Sequence, residues 1–131
     1  MIGLDTNVLV RYAIRDDAAQ ARMADRLIEA FTADDPGHVS HVTLIELWWV
    51  LTSAYGQDRL RVAAFIDRLL TTATIAVQSP DLVHAALRAV NAAGADFADA
   101  MIAATDAADG CDRTMTFDRK AARRAGMTLL T

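Results

Sequence analysis

Cysteine is almost absent from this chain, since Cys111 is the only one among 131 residues. A single thiol cannot form a disulfide within the chain, so we expect a fold held by its core in a reducing compartment, the cytoplasm. The sequence has no run of about 18 apolar residues and no basic segment followed by an apolar one at its start. We therefore expect neither a membrane span nor a signal peptide.

Basic residues are few as well. Lys and Arg number 13 against 17 Asp and Glu, and the formal net charge is −4. This balance argues against a protein that holds nucleic acid through a broad basic surface, but it allows local contacts to phosphates or contacts through bound cations. Apolar residues make up 53% of the chain, which predicts one folded domain over residues 1–131 rather than a disordered segment.

The spacing of apolar residues and of turn residues predicts short strands that alternate with helices. The predicted strands are Ile2–Leu4, His38–Ser40, Ala73–Gln78, Thr114–Phe117 and Met127–Leu130. The predicted helices are Thr6–Ala13, Asp17–Phe31, Thr43–Tyr55, Arg59–Leu70, Asp81–Ala93, Asp96–Ala108 and Arg119–Ala125. This alternation predicts an α/β sandwich with a largely parallel sheet, in which ligands bind outside the carboxyl ends of the strands.

Five carboxylates stand at positions where each has a structural explanation. Asp5, Asp96 and Asp118 each come directly before a predicted helix and would be good N-caps. Asp99 would then be the third residue of its helix. The stretch from Thr43 to Glu46 matches a capping box, in which the glutamate reaches back to the start of its own helix.

The five carboxylates taken together favour a metal site. Asp5 and Asp118 end strands and belong on one rim of the sheet, while Asp96 and Asp99 share a helix face and repel each other. Glu46 is flanked by apolar residues, so we expect it to be partly buried. Few basic residues stand nearby in the sequence to neutralise these acids. Oxygen ligands without His or Cys favour Mg²⁺ or Mn²⁺ over zinc.

The motifs that carry these acids are those of a known family. They are Asp5-Thr6-Asn7 after the first strand, Glu46 within "HVTLIELWWVL", "ADFADAMIAA" at 95–104 and "TMTFDRKAARRAG" at 114–126. Over essentially its whole length the chain resembles a PIN domain, specifically a VapC-type toxin of a bacterial toxin–antitoxin pair. The resemblance implies a three-layer α/β/α sandwich with a mostly parallel central sheet. It also implies a metal-dependent ribonuclease, commonly a homodimer, that a cognate antitoxin protein inhibits.

The resemblance assigns roles to individual residues. Asp5, Glu46, Asp99 and Asp118 match the family's acidic positions, and Asp96 is a further acid that would be a ligand, an orienting group or only a cap. The hydroxyl or amide side chains that would support them are Thr6, Asn7 and Thr116. Our hypothesis is that Asp5 and Asp99 hold one Mg²⁺ or Mn²⁺ with Glu46 or Asp96, and that Asp118 holds a second ion or orients the attacking water. RNA cleavage would leave a 3′-hydroxyl and a 5′-phosphate.

Basic and aromatic residues near these motifs have two interpretations each. Arg119, Lys120 and Arg123 would contact RNA or would only complement the dipole of their own helix. Arg11 and Arg15 would line the groove or pair with an acidic segment of the antitoxin. Trp48 and Trp49 point about 100° apart on a helix, so one would be buried and the other outward, at an interface, or both would be buried.

Other functions are less compatible with the sequence. A haloacid-dehalogenase-like phosphatase needs a second aspartate where Asn7 stands, and a P-loop or Rossmann protein needs a glycine-rich first turn, which is absent here. Two alternatives stay open. The chain would be a catalytically silent PIN-like module that binds RNA or protein, or a nuclease that acts on DNA.

Overall fold

The computed structural model describes every residue from Met1 to Thr131. The chain divides into two compact units, Met1–Gln78 and Ser79–Thr131. Each unit contains its own parallel sheet and its own helices, as the alternation of strands and helices predicts. None of the helices is long and apolar enough to cross a membrane.

The first unit is built on a three-stranded parallel sheet of order β1-β2-β3. Its strands are β1 (Ile2–Gly3), β2 (Gly37–Val39) and β3 (Ile75–Val77). Its helices are α1 (Thr6–Ala13), α2 (Ala18–Glu29), α3 (His41–Trp49) and α4 (Arg59–Thr71), with a π-helical turn at Val50–Ala54 that continues α3. The register pairs Ile2 with Gly37 and His38 with Ala76, so Asp5 follows the carboxyl end of the first strand.

Apolar side chains of these elements form the core of the first unit. Leu9 of α1, Leu44 and Leu47 of α3, Ile66 of α4 and Val39 of β2 are all fully buried. Helix α1 packs against both α2 and α3. This packing fixes the start of α1 beside the middle of α3, which is how Asp5 and Glu46 come to face the same space.

The sheet of the first unit depends on a close approach at Gly37. A Cβ atom at this position would lie 2.8 Å from Cδ2 and 3.0 Å from Cζ of Phe31. Phe31 is itself buried, so its ring occupies the space that any side chain at this position would need. Glycine therefore allows β2 to pass directly beneath the ring.

The second unit pairs a helical hairpin with a small sheet. Its elements are α5 (Pro80–Ala93), α6 (Phe97–Ala108), β4 (Met115–Thr116), α7 (Arg119–Arg124) and β5 (Thr128–Leu129). Helices α5 and α6 pack against each other along their lengths, with Phe97, Val83 and Met101 buried between them. Strands β4 and β5 pair in parallel, with α7 as the connection.

The structure confirms the α/β class and the parallel strands, and it corrects several boundaries. Only α1 has the predicted ends. Four of the strands are shorter than predicted, and β2 begins and ends one residue earlier. Asp17 and Asp96 lie just outside their helices as N-caps. The predicted helix Thr43–Tyr55 is wrong at both ends, because it begins at His41 and its last turn is π-helical.

The two adjacent tryptophans have opposite environments. Trp48 is buried, with 3% of its surface exposed, whereas Trp49 is 63% exposed. The interpretation in which both are buried is therefore wrong. Val42, two turns earlier on α3, is also exposed. The outward face of α3 thus carries two large apolar side chains with Glu46 between them.

Candidate active site

A small pocket in the first unit brings together several residues of the predicted site. Its volume is about 260 Å³. The polar side chains that line it are Asp5, Thr6, Asn7, Arg11, Glu46 and Tyr55. Asp5 is the N-cap of α1, and its Oδ1 accepts a hydrogen bond of 2.7 Å from the backbone N–H of Thr6. The two acids and two supporting residues predicted for this unit thus share one pocket.

The carboxylate of Glu46 is placed differently from the prediction. The capping box is wrong, because the N-cap of α3 is Ser40, whose Oγ accepts from the N–H of Thr43 at 3.2 Å. Glu46 lies in the middle of the helix and is exposed. The expected partial burial is wrong as well, since Leu44 and Leu47 take the buried face. The carboxylate accepts no hydrogen bond from the chain, so both of its oxygens are available for a ligand.

One arginine lies among these acids, which corrects the expectation that basic residues are scarce beside them. Arg11 donates from Nε to Oε1 of Gln20 at 2.7 Å, and from Nη1 to Oδ1 of Asp16 at 2.9 Å and to the hydroxyl of Tyr55 at 3.2 Å. The hydrogen bond to Tyr55, followed by the charge of Asp16, raises the pKa of Arg11. Sequence reasoning missed Tyr55, because it is 44 residues away from Arg11.

Arg15 lies elsewhere. It pairs with Asp25, with an Nη1–Oδ1 distance of 2.9 Å, and it lines a larger groove of about 930 Å³ beside α4. The hydrogen bond from Arg15 lowers the pKa of Asp25. Of the two arginines predicted near the groove of the site, only Arg11 lines the pocket that contains Asp5.

Two further acids of the predicted set are helix N-caps in the second unit. Asp96 caps α6, with its Oδ1 accepting from the N–H of Asp99 at 3.0 Å. Asp118 caps α7, with its Oδ1 accepting from the N–H groups of Lys120 at 2.8 Å and Ala121 at 3.1 Å. The hydroxyl of Thr116 accepts from the N–H of Asp118 at 3.0 Å. These capping predictions are confirmed. The contact of Thr116 is with the backbone of Asp118, and its supporting role at the site stays a prediction.

Capping leaves half of each carboxylate unused. In Asp5, Asp96 and Asp118 the hydrogen bonds to the backbone all go to Oδ1. The Oδ2 atom of each has no partner in the chain. A cap therefore fixes the side-chain conformation while leaving one oxygen for a cation. The structural and the functional explanations of these acids are compatible.

Asp99 is the half-buried member of the acidic cluster in the second unit. Burial raises its pKa, and the negative charges of Asp96 and Asp118 raise it further. The charges of Asp96 and Asp118 repel the carboxylate of Asp99. A cation bound beside Asp99 would relieve this repulsion.

These donors fit a magnesium or manganese ion. Every candidate ligand is a carboxylate, and Mg²⁺ is usually held by one or two carboxylates and completed by waters and substrate phosphates. No group of three or more His, Cys, Asp or Glu side chains is placed so that it could hold a metal ion. The chemistry of the carboxylates, rather than a preformed arrangement, is what fits such an ion.

Three basic residues follow Asp118 on α7. Arg119, Lys120 and Arg123 are all exposed and form no ion pair. Arg123 lies in the last turn of its helix, where a positive charge complements the dipole. Both interpretations of these residues stand, and their contact with RNA stays a prediction.

In each unit a carboxylate follows a parallel strand, caps the next helix and keeps a free oxygen, as Asp5 does in the first unit and Asp118 in the second. The chain is thus an α/β protein with acidic side chains at the ends of its strands. The chain belongs to the PIN domain family, whose profile matches residues 2–127. The match includes every acid described above. The family generally comprises nucleases and typically uses divalent metal ions. A search of curated proteins finds no match to the sequence.

Proposed function

We propose that this protein is a metal-dependent endoribonuclease and the VapC-type toxin of a type II toxin–antitoxin pair. The observation that supports the nuclease most strongly is the free oxygen on each capping carboxylate beside the acid cluster around Asp99. Family membership supports the same class of enzyme. The resemblance of the sequence motifs to VapC toxins supports the toxin role.

In this proposal the metal ligands are the four acids that the family resemblance assigns. Asp5 and Glu46 supply oxygens from the first unit, and Asp99 and Asp118 from the second. Thr6, through its backbone N–H, holds Asp5 in its conformation, and Thr116 does the same for the backbone of Asp118. Asp96 orients the start of α6 and has one oxygen left for a ligand.

A bound Mg²⁺ or Mn²⁺ would lower the pKa of water and offset the charge of the phosphate. The acids of the chain would hold the metal ion and orient the attacking water. The exposed Arg119, Lys120 and Arg123 contact the RNA backbone beyond the cleaved bond. Hydrolysis leaves a 3′-hydroxyl and a 5′-phosphate. A protein of net charge −4 can thereby act on a polyanion.

The proposed partners are a cognate VapB-like antitoxin and a second copy of this chain. Support comes from the outward face of α3, where Val42 is 78% exposed and Trp49 is 63% exposed. Apolar side chains of this size on a surface are typical of interfaces. The proposed setting is the cytoplasm, in keeping with one exposed free cysteine, Cys111.

The experiment that tests this function is cleavage of mixed tRNA and ribosomal RNA by the purified protein. Reactions contain Mg²⁺, Mn²⁺ or EDTA, and they compare the wild type with Asp5→Ala and Asp99→Ala. We expect discrete fragments that disappear with EDTA and in both variants. A parallel reaction with single-stranded DNA tests the choice of substrate.

The absence of cleavage with either metal, together with the absence of metal binding by calorimetry, would contradict the proposal. The catalytically silent module that binds RNA or protein would then be the better explanation. Cleavage of DNA but not RNA would support a nuclease function and would reject the proposal that RNA is the substrate.

A further inference from the structure

The arginine in the Asp5 pocket is held in an unusually defined position for a surface side chain. Its Nε and Nη1 atoms donate to Gln20, Asp16 and Tyr55, and these partners come from three different segments of the first unit. The hydroxyl of Tyr55 in turn donates to Oδ2 of Asp16 at 3.3 Å. Long side chains on a surface normally sample many rotamers, so this arrangement restricts Arg11 to one orientation.

These hydrogen bonds leave part of the guanidinium available to a ligand. Nη2 of Arg11 has no hydrogen-bond partner in the chain, and the side chain is 30% exposed. Arginine donors form a planar fork that matches the oxygens of a phosphate. The free Nη2 edge belongs to a residue that lines the same pocket as Asp5 and Glu46.

The pocket contains charged side chains of both signs. Asp5 and Glu46 are both exposed acids, and they repel the backbone of an approaching RNA. Arg11 is the cationic side chain that lines the pocket, and its ion-pair partner Asp16 is not among the lining residues. An anion at the free Nη2 edge would therefore contact the one positively charged side chain that lines the pocket.

The π-helical turn positions Tyr55, one of the three residues that accept hydrogen bonds from Arg11. The N–H of Tyr55 donates to the carbonyl oxygen of Val50 at 3.1 Å, five residues earlier. The extra residue in this turn rotates Tyr55 away from the position that a continuous α-helix would give it. π-Helical turns inside helices are frequently found at functional sites. Here the turn delivers a hydroxyl to the guanidinium of Arg11.

We propose that Arg11 binds a phosphate of the RNA substrate beside Asp5, and that Tyr55 and Gln20 are positioning residues that hold its guanidinium for this contact. The proposal rests on the ribonuclease function proposed above, because it names a substrate contact of that site. It assigns the pocket a specificity for a phosphodiester backbone rather than for a base.

The test measures RNA binding separately from cleavage. Binding of a short fluorescein-labelled single-stranded RNA is followed by anisotropy in EDTA, over a series of salt concentrations. The variants are Arg11→Gln, Arg11→Lys and Tyr55→Phe. Arg15→Gln is the matched control, since Arg15 is also an ion-paired surface arginine of the first unit but lies outside the pocket. Circular dichroism confirms that each variant is folded.

We expect Arg11→Gln to bind RNA about 10- to 100-fold more weakly, as for the loss of one charge-assisted hydrogen bond. A plot of the logarithm of its binding constant against the logarithm of the salt concentration should have a slope smaller in magnitude by about 0.7. This is the value for one phosphate contact on a single strand. Arg11→Lys and Tyr55→Phe should bind more weakly while keeping the wild-type slope, because the charge is retained and only its placement is lost. Arg15→Gln should bind as the wild type does.

Equal binding by Arg11→Gln and the wild type would overturn the assignment, including the case in which neither binds. If Arg11→Gln does not fold, Arg11→Lys decides, and wild-type affinity in that variant would overturn the proposal. Wild-type binding by Tyr55→Phe would reject the positioning role. Failure of the wild type to cleave RNA in Mn²⁺ would instead reject the ribonuclease function, so the two failures are distinguishable.

Discussion

Replacing Asp118 by asparagine separates the two roles that this side chain has in our account. As an N-cap, Asp118 accepts hydrogen bonds from the N–H groups of Lys120 and Ala121 through Oδ1. Asparagine has a carbonyl oxygen in the same place and is an equally good N-cap. It lacks the negative charge that a divalent cation requires. Asp118→Asn should therefore keep the cap and lose the reaction, whereas Asp118→Ala should lose the reaction and also destabilise the helix.

The expected effects on stability follow from the two hydrogen bonds. Removing an N-cap by substitution with alanine costs about 1 kcal/mol in the free energy of unfolding, within a range of roughly 0.5–2. Asp118→Asn loses only the favourable interaction of the charge with the helix dipole, about 0.3–1 kcal/mol at an exposed site. Relief of repulsion with Asp99 offsets part of that loss. The asparagine variant should thus be less destabilised than the alanine variant.

Urea unfolding and Mn²⁺-dependent RNA cleavage measure the two roles on the same samples. Asp17→Asn is the matched control, because Asp17 caps α2 through the N–H of Gln20 at 3.0 Å and belongs to no acidic cluster. It should lose only the interaction with the helix dipole, about 0.3–1 kcal/mol, and it should keep cleavage. Wild-type cleavage by Asp118→Asn would refute the reasoning, since Asp118 would then be only a cap. Equal destabilisation by asparagine and alanine would refute the hydrogen-bond assignment.

Three other substitutions follow from the structure. Asp99→Asn should raise the melting temperature of the protein in EDTA at neutral pH. The pKa of Asp99 is raised in the folded state, so its contribution favours folding at low pH and is lost as the pH rises through that pKa. The stabilisation should therefore vanish in melts below pH 3.8, the ordinary pKa of an aspartate side chain. Gly37→Ala should destabilise the fold by about 1–3 kcal/mol in urea, because a Cβ there collides with the ring of Phe31. An unchanged unfolding midpoint would contradict that packing. Phe97→Ala should cost about 3–5 kcal/mol, since Phe97 is fully buried, and a loss under 1 kcal/mol would contradict the core described for the second unit.

The parts of the site that sequence reasoning identified depend on local rules. Asp5, Asp96 and Asp118 precede helices, and an N-cap is determined by the residue and the few N–H groups that follow it. Their capping roles could therefore be predicted. The first helix was predicted to its exact ends for the same reason, because Asp5 begins it and Ile14 ends it in an extended conformation.

The parts that sequence reasoning missed depend on contacts between distant segments. Glu46 matched a capping box with Thr43, but Ser40 lies three residues earlier and takes that role. Local spacing could not decide between two hydroxyl residues. The contact of Arg11 with Tyr55 joins residues 44 apart, and it depends on a π-helical turn that apolar periodicity does not reveal. Tertiary packing decides such features.

The central claim is that the carboxylates of this chain act by holding a divalent cation. Calorimetric titration of Mn²⁺ into the metal-free protein tests it most directly, with Asp99→Asn and the capping control Asp17→Asn measured alongside. We predict saturable binding by the wild type and by Asp17→Asn, and an affinity at least about 10-fold lower for Asp99→Asn, as for loss of a charged ligand. The absence of binding by the wild type, or equal affinity in all three proteins, would contradict the account.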